Sequence, residues 1–566
     1  MFYLMIKIFF LLLLLPCISF GKTTPHYYES KDWLDLLYYE HHSSGYKSIA
    51  TSQSFFVHKN GQSSPKDEYI ASLALTRKHD NWFRRTFPLR YKRLCKNHNI
   101  NYNPIIKLDS KINAVQLVYP SRYLRNPASM FGHLFLIFKS KNGVQDSHIF
   151  HYIAKLTPTS QLGYIYNGLT GKFQGRFLKE PYYKKIKDYT YVEDRDIIYY
   201  NLLLSQEMIE NLQLHAIELN QTSFNYYFLN QNCAFFIAKS LNVILENDIQ
   251  LQKLFIYPTQ IVNDLINKNK ISSQQFRSSS TSIFNNRYKQ LSHYQKKQLS
   301  SLLIEKKNNF DLFDSNTLTT FLYVSEYAIN NNSHLVDIIR HNRIKAYQKI
   351  TIYNKARIRS SLEKSGKANH IKSKKISLSY TQNNGIFASY SPLFYDNKLD
   401  KINTNRLNAL SFRLGATGIN HVQGDMTLIN IKKNIPFNPI LGNYSWELNS
   451  FFGINQQLIT NQELNIGLTL PILNQHWYMF VGGNVTNYNQ LNDTNQANTS
   501  LYPAIGIHCY GIASKSIRYQ LGYEYRYNST YINPKLHIDI NDVIVELNAI
   551  SNHSETILKT GLIKRF

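Results

Sequence analysis

The sequence predicts an α+β fold followed by an all-β antiparallel C-terminal barrel. Helix and strand patterns alternate up to about residue 375, and beyond it apolar residues recur at every second position. From these patterns we predict five parts: a signal peptide (1–21), a helical accessory domain (22–110), a mixed domain (111–270), a helical connector and linker (271–374), and a β-barrel (375–566).

The N-terminus has the pattern of a secretory signal peptide. Lys7 precedes an unbroken apolar run over residues 8–15, and we expect cleavage after Gly21. The run is too short to span a bilayer permanently. Cys17 follows Pro16, which is a poor residue for a lipidation signal, so we expect an exported chain without an N-terminal lipid.

Composition narrows the expected partners. Cys95, Cys233 and Cys509 remain after the signal, one in each of three predicted domains, so a disulfide framework is not expected. The net charge of +27 is spread along the chain without basic blocks that carry stacking aromatics, and zinc-finger spacings are absent. We therefore expect no nucleic-acid partner, no metal and no cofactor. Biased genome composition and attraction to an anionic lipid surface both explain such a charge.

The accessory and mixed domains are predicted from local signals. Ser30 and Ser64 are placed to cap helices, the second with Pro65 in its first turn. Strands are expected over residues 112–119, 134–138 and 148–154, with the last two paired across a turn at 139–143, and helices after Ser205 and over 280–350. Residues 364–375 have the composition of a linker.

The barrel is predicted from sustained alternation. Leu464, Ile466 and Leu468 alternate with Asn465 and Gly467, and similar segments of about ten residues recur to the C-terminus. About 8 to 12 strands are expected. The chain ends on an aromatic residue, Phe566, as outer-membrane barrels do, although Lys564 departs slightly from that pattern. A soluble β-sandwich or barrel with one wet face is the alternative.

Two segments carry residues suited to nucleophilic catalysis. Cys233 begins an apolar run of helical character, where the unpaired N–H groups of a helix N-terminus favour thiolate. His133 lies at the start of an apolar strand about a hundred residues earlier. A thiol and an imidazole are the nucleophile and base of a cysteine enzyme, but in isolation such residues are more often ordinary core residues.

Together these segments resemble the Lnb N-terminal periplasmic domain family, which is similar to circularly permuted papain-like, NlpC-type thiol enzymes. The resemblance is most specific within residues 115–245. It is carried by residues 117–123, 126–133, 167–173, 181–183, 193–196 and 232–233. It implies a permuted papain-like catalytic core over 111–270.

The resemblance also implies roles for individual residues. Cys233 would be the nucleophile, His133 the general base and acid, and His151 the group that orients the imidazole, with His148 as the alternative three residues earlier. Asn232 would present its backbone or side chain to an oxyanion, or cap the helix instead. Ser129 would line the pocket, or serve only the turn.

The function implied is acyl transfer from a phospholipid, through a thioester on Cys233, to the amino group of a lipoprotein. The expected location is the periplasm and outer membrane of a Gram-negative bacterium, with the barrel as the membrane anchor. An NlpC-like amidase or peptidase of the cell envelope, a thiol lipase, and a non-catalytic envelope scaffold remain alternatives. An apolar tunnel beside Cys233 would favour acyl transfer, and an open polar groove would favour peptidoglycan cleavage.

Overall fold

The computed structural model of the chain describes most residues from 26 onward. The described ranges are 26–121, 132–245, 249–251, 254–331, 335–350, 363–366, 372–382, 385–396, 406–416, 422–434, 437–442, 444–455, 457–472, 475–490, 497–514, 516–540, 543–552 and 554–565. The predicted signal peptide, Ser129 and Phe566 lie outside them.

Thirteen α-helices lie within the described residues. They are α1 (Lys31–Leu36), α2 (Pro65–Arg77), α3 (Asn81–Thr86), α4 (Pro88–Asn97), α5 (Gln161–Thr170), α6 (Tyr182–Lys187), α7 (Gln206–Leu219), α8 (Cys233–Leu245), α9 (Pro258–Asn267), α10 (Ser280–Tyr288), α11 (His293–Ile304), α12 (Ser315–Asn331) and α13 (Val336–Lys349). None of the helices in the described part of the chain is both long and apolar enough to cross a membrane.

The first ten strands belong to a small hairpin and to one mixed-region sheet. They are β1 (Tyr39–His42), β2 (Gly45–Ser48), β3 (Ile112–Pro120), β4 (Phe135–Ser140), β5 (Gly143–Lys155), β6 (Phe173–Pro181), β7 (Ile197–Leu202), β8 (Ser223–Tyr226), β9 (Ile271–Arg277) and β10 (Glu363–Gly366).

The remaining strands form the C-terminal sheet. They are β11 (Lys375–Thr381), β12 (Gly385–Ser391), β13 (Leu393–Asp396), β14 (Arg406–Ala416), β15 (Val422–Lys433), β16 (Ser445–Asn455), β17 (Gln457–Ile472), β18 (Gln475–Gln490), β19 (Ala497–Ile512), β20 (Ile517–Arg526), β21 (Ser529–Ile540), β22 (Val543–Ser551) and β23 (Thr556–Arg565).

The predicted caps of the N-terminal helices are confirmed, but the region is not wholly helical. Ser30 Oγ accepts the N–H of Trp33, and Ser64 Oγ accepts the N–H of Asp67. The helical prediction is wrong at β1 and β2, which form an antiparallel hairpin. Its tight turn uses Gly45 at φ +114°, a conformation that residues with a side chain rarely adopt.

The mixed region contains an eight-stranded antiparallel sheet in the order β10-β9-β7-β3-β4-β5-β6-β8. The predicted hairpin is confirmed, since β4 pairs with β5 and Phe138 lies opposite His148. Two differences concern its edge. β9 joins the sheet although it falls in the predicted connector, and β10 pairs with β9 inside the predicted linker.

One hydrophobic core joins the N-terminal segment to the mixed region. It extends in sequence from Trp33 to Leu265 and includes Phe236 of α8. Polar contacts cross the same boundary: the Tyr38 hydroxyl lies 3.1 Å from Ser240 Oγ of α8 and 3.2 Å from His215 Nε2 of α7. The N-terminal segment therefore supports α8, the helix that begins at Cys233.

A fully buried ion pair ties three helices together. Arg90 of α4 donates to Glu68 of α2 at 2.8 Å, and the Arg90 backbone N–H donates to Glu218 of α7 at 2.7 Å. Glu68 also accepts the backbone N–H groups of Val57 and His58. Each charged side chain in this network makes at least one hydrogen bond, which offsets part of the cost of burying it.

The C-terminal sheet is a closed antiparallel barrel of twelve strands, β11, β12 and β14 to β23. Pairing of β12 with β14 closes the circle, and β13 continues along β14 after Pro392. The predicted barrel is confirmed. Its strand number lies at the upper end of the expected range.

The barrel reverses the burial pattern of a water-soluble protein. On β17, Leu464 and Ile466 point outward and are 49% and 50% exposed, whereas Glu463 and Asn465 point inward and are buried. Lys432 donates to Glu447 at 2.9 Å and to the Tyr510 hydroxyl at 2.7 Å. Further inward-facing side chains are buried at Tyr478, Phe480, Asn484, Thr486 and Glu524.

Contacts at two places in the described part of the chain connect the barrel to the preceding region. Tyr257 packs against Leu393 and Ala409 at the start of the barrel wall. Leu441, in the turn between β15 and β16, packs against the α10–α13 bundle, and Asn438 in that turn donates to Asn285 of α10 at 3.2 Å.

Candidate functional site

Cys233 is the first residue of α8, as predicted. Asn232 caps the helix, since its Oδ1 atom accepts the N–H groups of Ala234 at 3.0 Å and Phe235 at 3.3 Å. Its Nδ2 atom donates to the carbonyls of Phe228 at 3.1 Å and Ile256 at 2.7 Å. Of the two roles expected for the Asn232 side chain, the structure therefore shows helix capping.

The Cys233 thiol is buried among hydrogen-bond donors. The backbone N–H groups of Leu134 and Ala234 and the Tyr226 hydroxyl lie near the sulfur and favour its thiolate form, although the Ala234 N–H donates its hydrogen bond to Asn232 Oδ1. Burial raises the pKa of the thiol above its ordinary value, while these donors and the charge of Arg195 oppose that rise. Burial prevails, so the neutral thiol is the resting form at neutral pH.

His133 lies two residues before β4, next to Leu134, whose N–H lies near the sulfur. Its ring centroid is 5.9 Å from that of Phe135, 6.2 Å from Tyr189 and 6.4 Å from His151. Among the residues that the structure describes, the buried Nε2 atom of His133 has no hydrogen-bond partner. Burial lowers the pKa of His133 well below its ordinary value, and His151 and the charges of Arg195 and Lys185 add to the shift.

Because Leu134 follows His133 and contacts the sulfur, the chain segment that carries the imidazole reaches the thiol. The close approach of the sulfur to a ring nitrogen, within roughly 4 Å, stays a prediction. A neutral imidazole can accept a proton from a neutral thiol. The shifted pKa values leave both His133 and Cys233 neutral at rest.

His151 lies on β5, fully buried, with its ring nearly perpendicular to that of His133. Its Nε2 atom is 3.0 Å from Oε2 of Glu180 on β6, but the pair lacks the alignment of a hydrogen bond. Burial lowers the pKa of His151 to about 3. His148, three residues earlier on the same strand, is partly exposed and lies opposite Pro181. Of the two candidate orienting groups, His151 is therefore the one beside His133.

Four contacts around the site were not predicted from the sequence: the Leu134 N–H, the Tyr226 hydroxyl, Glu180 and Arg195. Arg195 is buried, and its Nε atom donates to the Ser121 carbonyl at 2.6 Å while Nη2 donates to the Pro120 carbonyl at 3.1 Å. It thus holds the end of β3. Arg195 falls within a run that carries the family resemblance, 193–196, which is the signal that could have identified it, whereas Tyr226 lies outside those runs.

The aromatic residues near Cys233 are divided between the core and the approach to the site. Phe236 is fully buried in the core and Phe235 nearly so. Phe228 lies between Tyr164 and Phe173, with ring centroids 5.3 and 6.2 Å away.

Among the described residues, no group of three or more His, Cys, Asp or Glu side chains could hold a metal ion.

The fold and site define an antiparallel α+β region with a thiol at a helix terminus, joined to a closed β-barrel. Residues 102–268 match the family model of the Lnb N-terminal periplasmic domain. The resemblance is thereby confirmed for this part of the chain, while the papain-like character of its topology stays a prediction. Residues 26–97 match a domain of unknown function, DUF7843.

Comparison with curated proteins found no match. Among solved structures the chain is similar to the KdgM porin, at 10% identity and a TM-score of 0.23, over 34% of this chain and 99% of that chain. The KdgM porin in complex with disordered oligogalacturonate gives the same values. The interpretation of the barrel therefore rests on its own strands.

Proposed function

We propose that the chain is a membrane-anchored cysteine acyltransferase that moves an acyl group from a phospholipid to the amino terminus of a lipoprotein. The observation that carries the proposal is the Cys233 thiol at the N-terminus of α8, reached by the Leu134 N–H beside His133. This arrangement lies within the segment that matches the Lnb N-terminal periplasmic domain.

The proposed first half-reaction forms a thioester. His133 takes the thiol proton as the Cys233 sulfur attacks an ester carbonyl of the phospholipid. The C–O bond then breaks, and the imidazolium returns the proton to the departing oxygen, which leaves on a lysophospholipid. His151 acts as the positioning residue for the imidazole.

The second half-reaction releases the acyl group. A neutral α-amino group of the lipoprotein attacks the thioester carbonyl, the C–S bond breaks, and an amide forms. The proton lost by the amine returns through His133 to the sulfur, which restores the neutral thiol. The backbone N–H of Leu134, which lies near the sulfur, stabilises the oxyanion in each half-reaction, whereas the Ala234 N–H remains bonded to Asn232 Oδ1.

The location proposed is the periplasmic side of the outer membrane, with the barrel in the bilayer. Large apolar side chains face outward around the barrel while charged residues are buried inside it. That pattern suits lipid outside the barrel and leaves a soluble sandwich as the less favoured alternative. The charge of +27 suits anionic headgroups.

The test compares full-length wild type with Cys233→Ser, His133→Asn and Cys95→Ser. We expect a fatty-acyl adduct on Cys233 of the wild type by mass spectrometry, and N-acylated lipoproteins in cells that carry it. Cys233→Ser should abolish transfer, and His133→Asn should slow it by roughly 10²–10⁴-fold, the usual contribution of a general base. Cys95, also buried, is the matched control.

Muropeptide profiles from the same cells separate the alternatives. Altered muropeptides with an unchanged lipoprotein profile would favour an amidase or peptidase. If neither profile responds to Cys233→Ser, the chain is a scaffold.

A further inference from the structure

Helix α5 presents an apolar face to solvent close to the candidate site. Ile165, Tyr166 and Leu169 are 40%, 55% and 49% exposed, and Leu156 just before the helix is 54% exposed. The three helical residues, here named the α5 face, lie at positions i, i+1 and i+4 and so share one side of the helix. Contiguous apolar exposure of this kind marks an interaction surface.

The opposite side of α5 packs on the loop that leads to Cys233. Gly168 accepts the backbone N–H of Phe228 at 2.8 Å, and a Cβ atom at Gly168 would lie 2.2 Å from the Phe228 ring. The centroids of the Phe228 and Tyr226 rings are 6.2 Å apart in an edge contact, and the Tyr226 hydroxyl lies near the Cys233 thiol, where it favours the thiolate. Two aromatic residues therefore link the α5 face to the thiol.

The charge around the α5 face favours an anionic partner. Residues 155–179 contain four basic residues, Lys155, Lys172, Arg176 and Lys179, and no Asp or Glu. Lys172 places its ammonium 4.7 Å from the centre of the Tyr166 ring. Apolar and aromatic side chains bordered by lysines are typical of helices that lie in the membrane interface.

The position of the site beside the barrel indicates which partner covers the α5 face. Phe255 and Tyr257 pack on the barrel wall, and Ile256 between them donates its N–H to Leu229 and accepts from Asn232. Leu254, at the start of this segment, is 76% exposed. The loop that touches the barrel wall is thus also bonded to the cap of α8, so the site lies beside the barrel's outward apolar surface.

We propose that the α5 face, with Leu254, docks on the anionic phospholipid surface of the membrane that holds the barrel. The helix lies among the headgroups and brings the ester bonds of neighbouring lipids to the level of Cys233. The identity of these lipids as acyl donors rests on the proposed chemistry, whereas the docking rests only on the proposed placement of the barrel in the membrane.

Membrane depth tests the docking directly. A fluorescent NBD label is attached to Leu169→Cys and, as the control, to Leu312→Cys, which is 70% exposed near the α10–α13 bundle. Native Cys95, Cys233 and Cys509 are buried, and labelled wild type measures their background. Each full-length protein is reconstituted into vesicles of phosphatidylethanolamine and phosphatidylglycerol containing doxyl-labelled lipid. Quenching at 169 and little at 312 is expected; equal quenching at both, or none at 169, would overturn the docking.

A second arm separates docking from chemistry. In the Ile165→Ser, Tyr166→Ser, Leu169→Ser variant, acylation of Cys233 from vesicle phospholipid should fall roughly tenfold or more, because the apolar area that enters the membrane is lost. Acylation by a soluble short-chain aryl thioester should be unchanged. An undiminished rate from vesicles would overturn the delivery of lipid by α5. If wild type reacts with neither substrate, the proposed function fails, while the quenching result still decides the docking.

Discussion

At Cys233, burial and hydrogen bonding act on the thiol in opposite directions. The Leu134 and Ala234 N–H groups and the Tyr226 hydroxyl stabilise a thiolate, but burial raises the pKa of the thiol more than they lower it. At His133, burial lowers the pKa of the imidazole. The resting pair is thus neutral, unlike the thiolate–imidazolium pair found in some cysteine enzymes.

This neutral pair predicts the pH dependence of alkylation at Cys233. The rate of alkylation by iodoacetamide should rise steadily above neutral pH. The raised pKa keeps the thiol protonated at lower pH, and only the thiolate reacts. Tyr226→Phe removes a donor and should move the rise to higher pH. Peptide mapping of the modified cysteine provides the measurement, with Cys233→Ser as the blank. A rate that is already constant between about pH 5 and 8 would contradict a neutral pair.

At this scale the sequence identifies residue types but not their contacts. Cys233 and His133 are predictable because helix and strand beginnings leave local signals and because the runs around them resemble a family. The Leu134 N–H is a backbone group delivered to the sulfur from a different strand, and the Glu180 contact depends on the pairing of β5 with β6. Neither depends on a local pattern. Asn232 has two chemically reasonable roles, which only its hydrogen bonds distinguish.

At the scale of elements, local chemistry again separates what is predictable from what is not. Helices α1, α2 and α7 begin at capping serines that are visible in the sequence. The four-residue strands β1 and β10 are too short for a periodic signal, and β10 exists only because β9 offers it an edge. The buried contact of Arg90 with Glu68 and Glu218 joins α2, α4 and α7 across more than a hundred residues of sequence.

Glu218 makes the stability of this helical layer depend on pH. Burial raises its pKa from 4.5 to about 7, although Arg90 opposes the shift. The folded state therefore retains a proton that the unfolded state releases between those values, so the contribution of Glu218 to stability falls as pH rises from about 4.5 to 7.

The variant Glu218→Gln should flatten this part of the profile of Tm against pH, since Gln keeps the shape without the ionisation. Thermal unfolding of the full chain, followed by near-UV circular dichroism, measures the effect. Glu207→Gln, an exposed carboxylate on the same helix, is the matched control and should leave the profile unchanged. The explanation fails if the Glu218 and Glu207 variants have the same profile.

At the scale of the whole molecule, the barrel follows from a repeated two-residue period. Each strand alone is a weak signal, but the same alternation over many successive segments predicts a barrel, and twelve strands close it. The closing pair β12–β14 and the interruption at Pro392 could not be predicted from the sequence, because both depend on which strands pair where the barrel closes.

Insertion of the barrel into lipid can be tested at Val481, which is 61% exposed on β18. Val481→Arg should destabilise the inserted barrel by about 2–4 kcal/mol if the position lies near the bilayer midplane. The migration of unheated and heated samples in SDS gels, after folding into vesicles across a urea series, reports the folded fraction. Leu312→Arg is the control outside the barrel. Equal midpoints for both variants would favour a barrel surrounded by water.

The filled interior of the barrel has a consequence for the permeability of the envelope. Lys432 donates to both Glu447 and the Tyr510 hydroxyl there, and elsewhere on the inner wall Asn484 and Thr486 have almost no contact with water. In the outer membrane, where we propose that the barrel lies, these buried side chains would obstruct the passage of ions and hydrophilic antibiotics through the part of the interior that they occupy. A cell could therefore carry many copies of the protein without increased leakage through the barrel. The amount of the protein could then be set by how much of the proposed acyl transfer the cell needs.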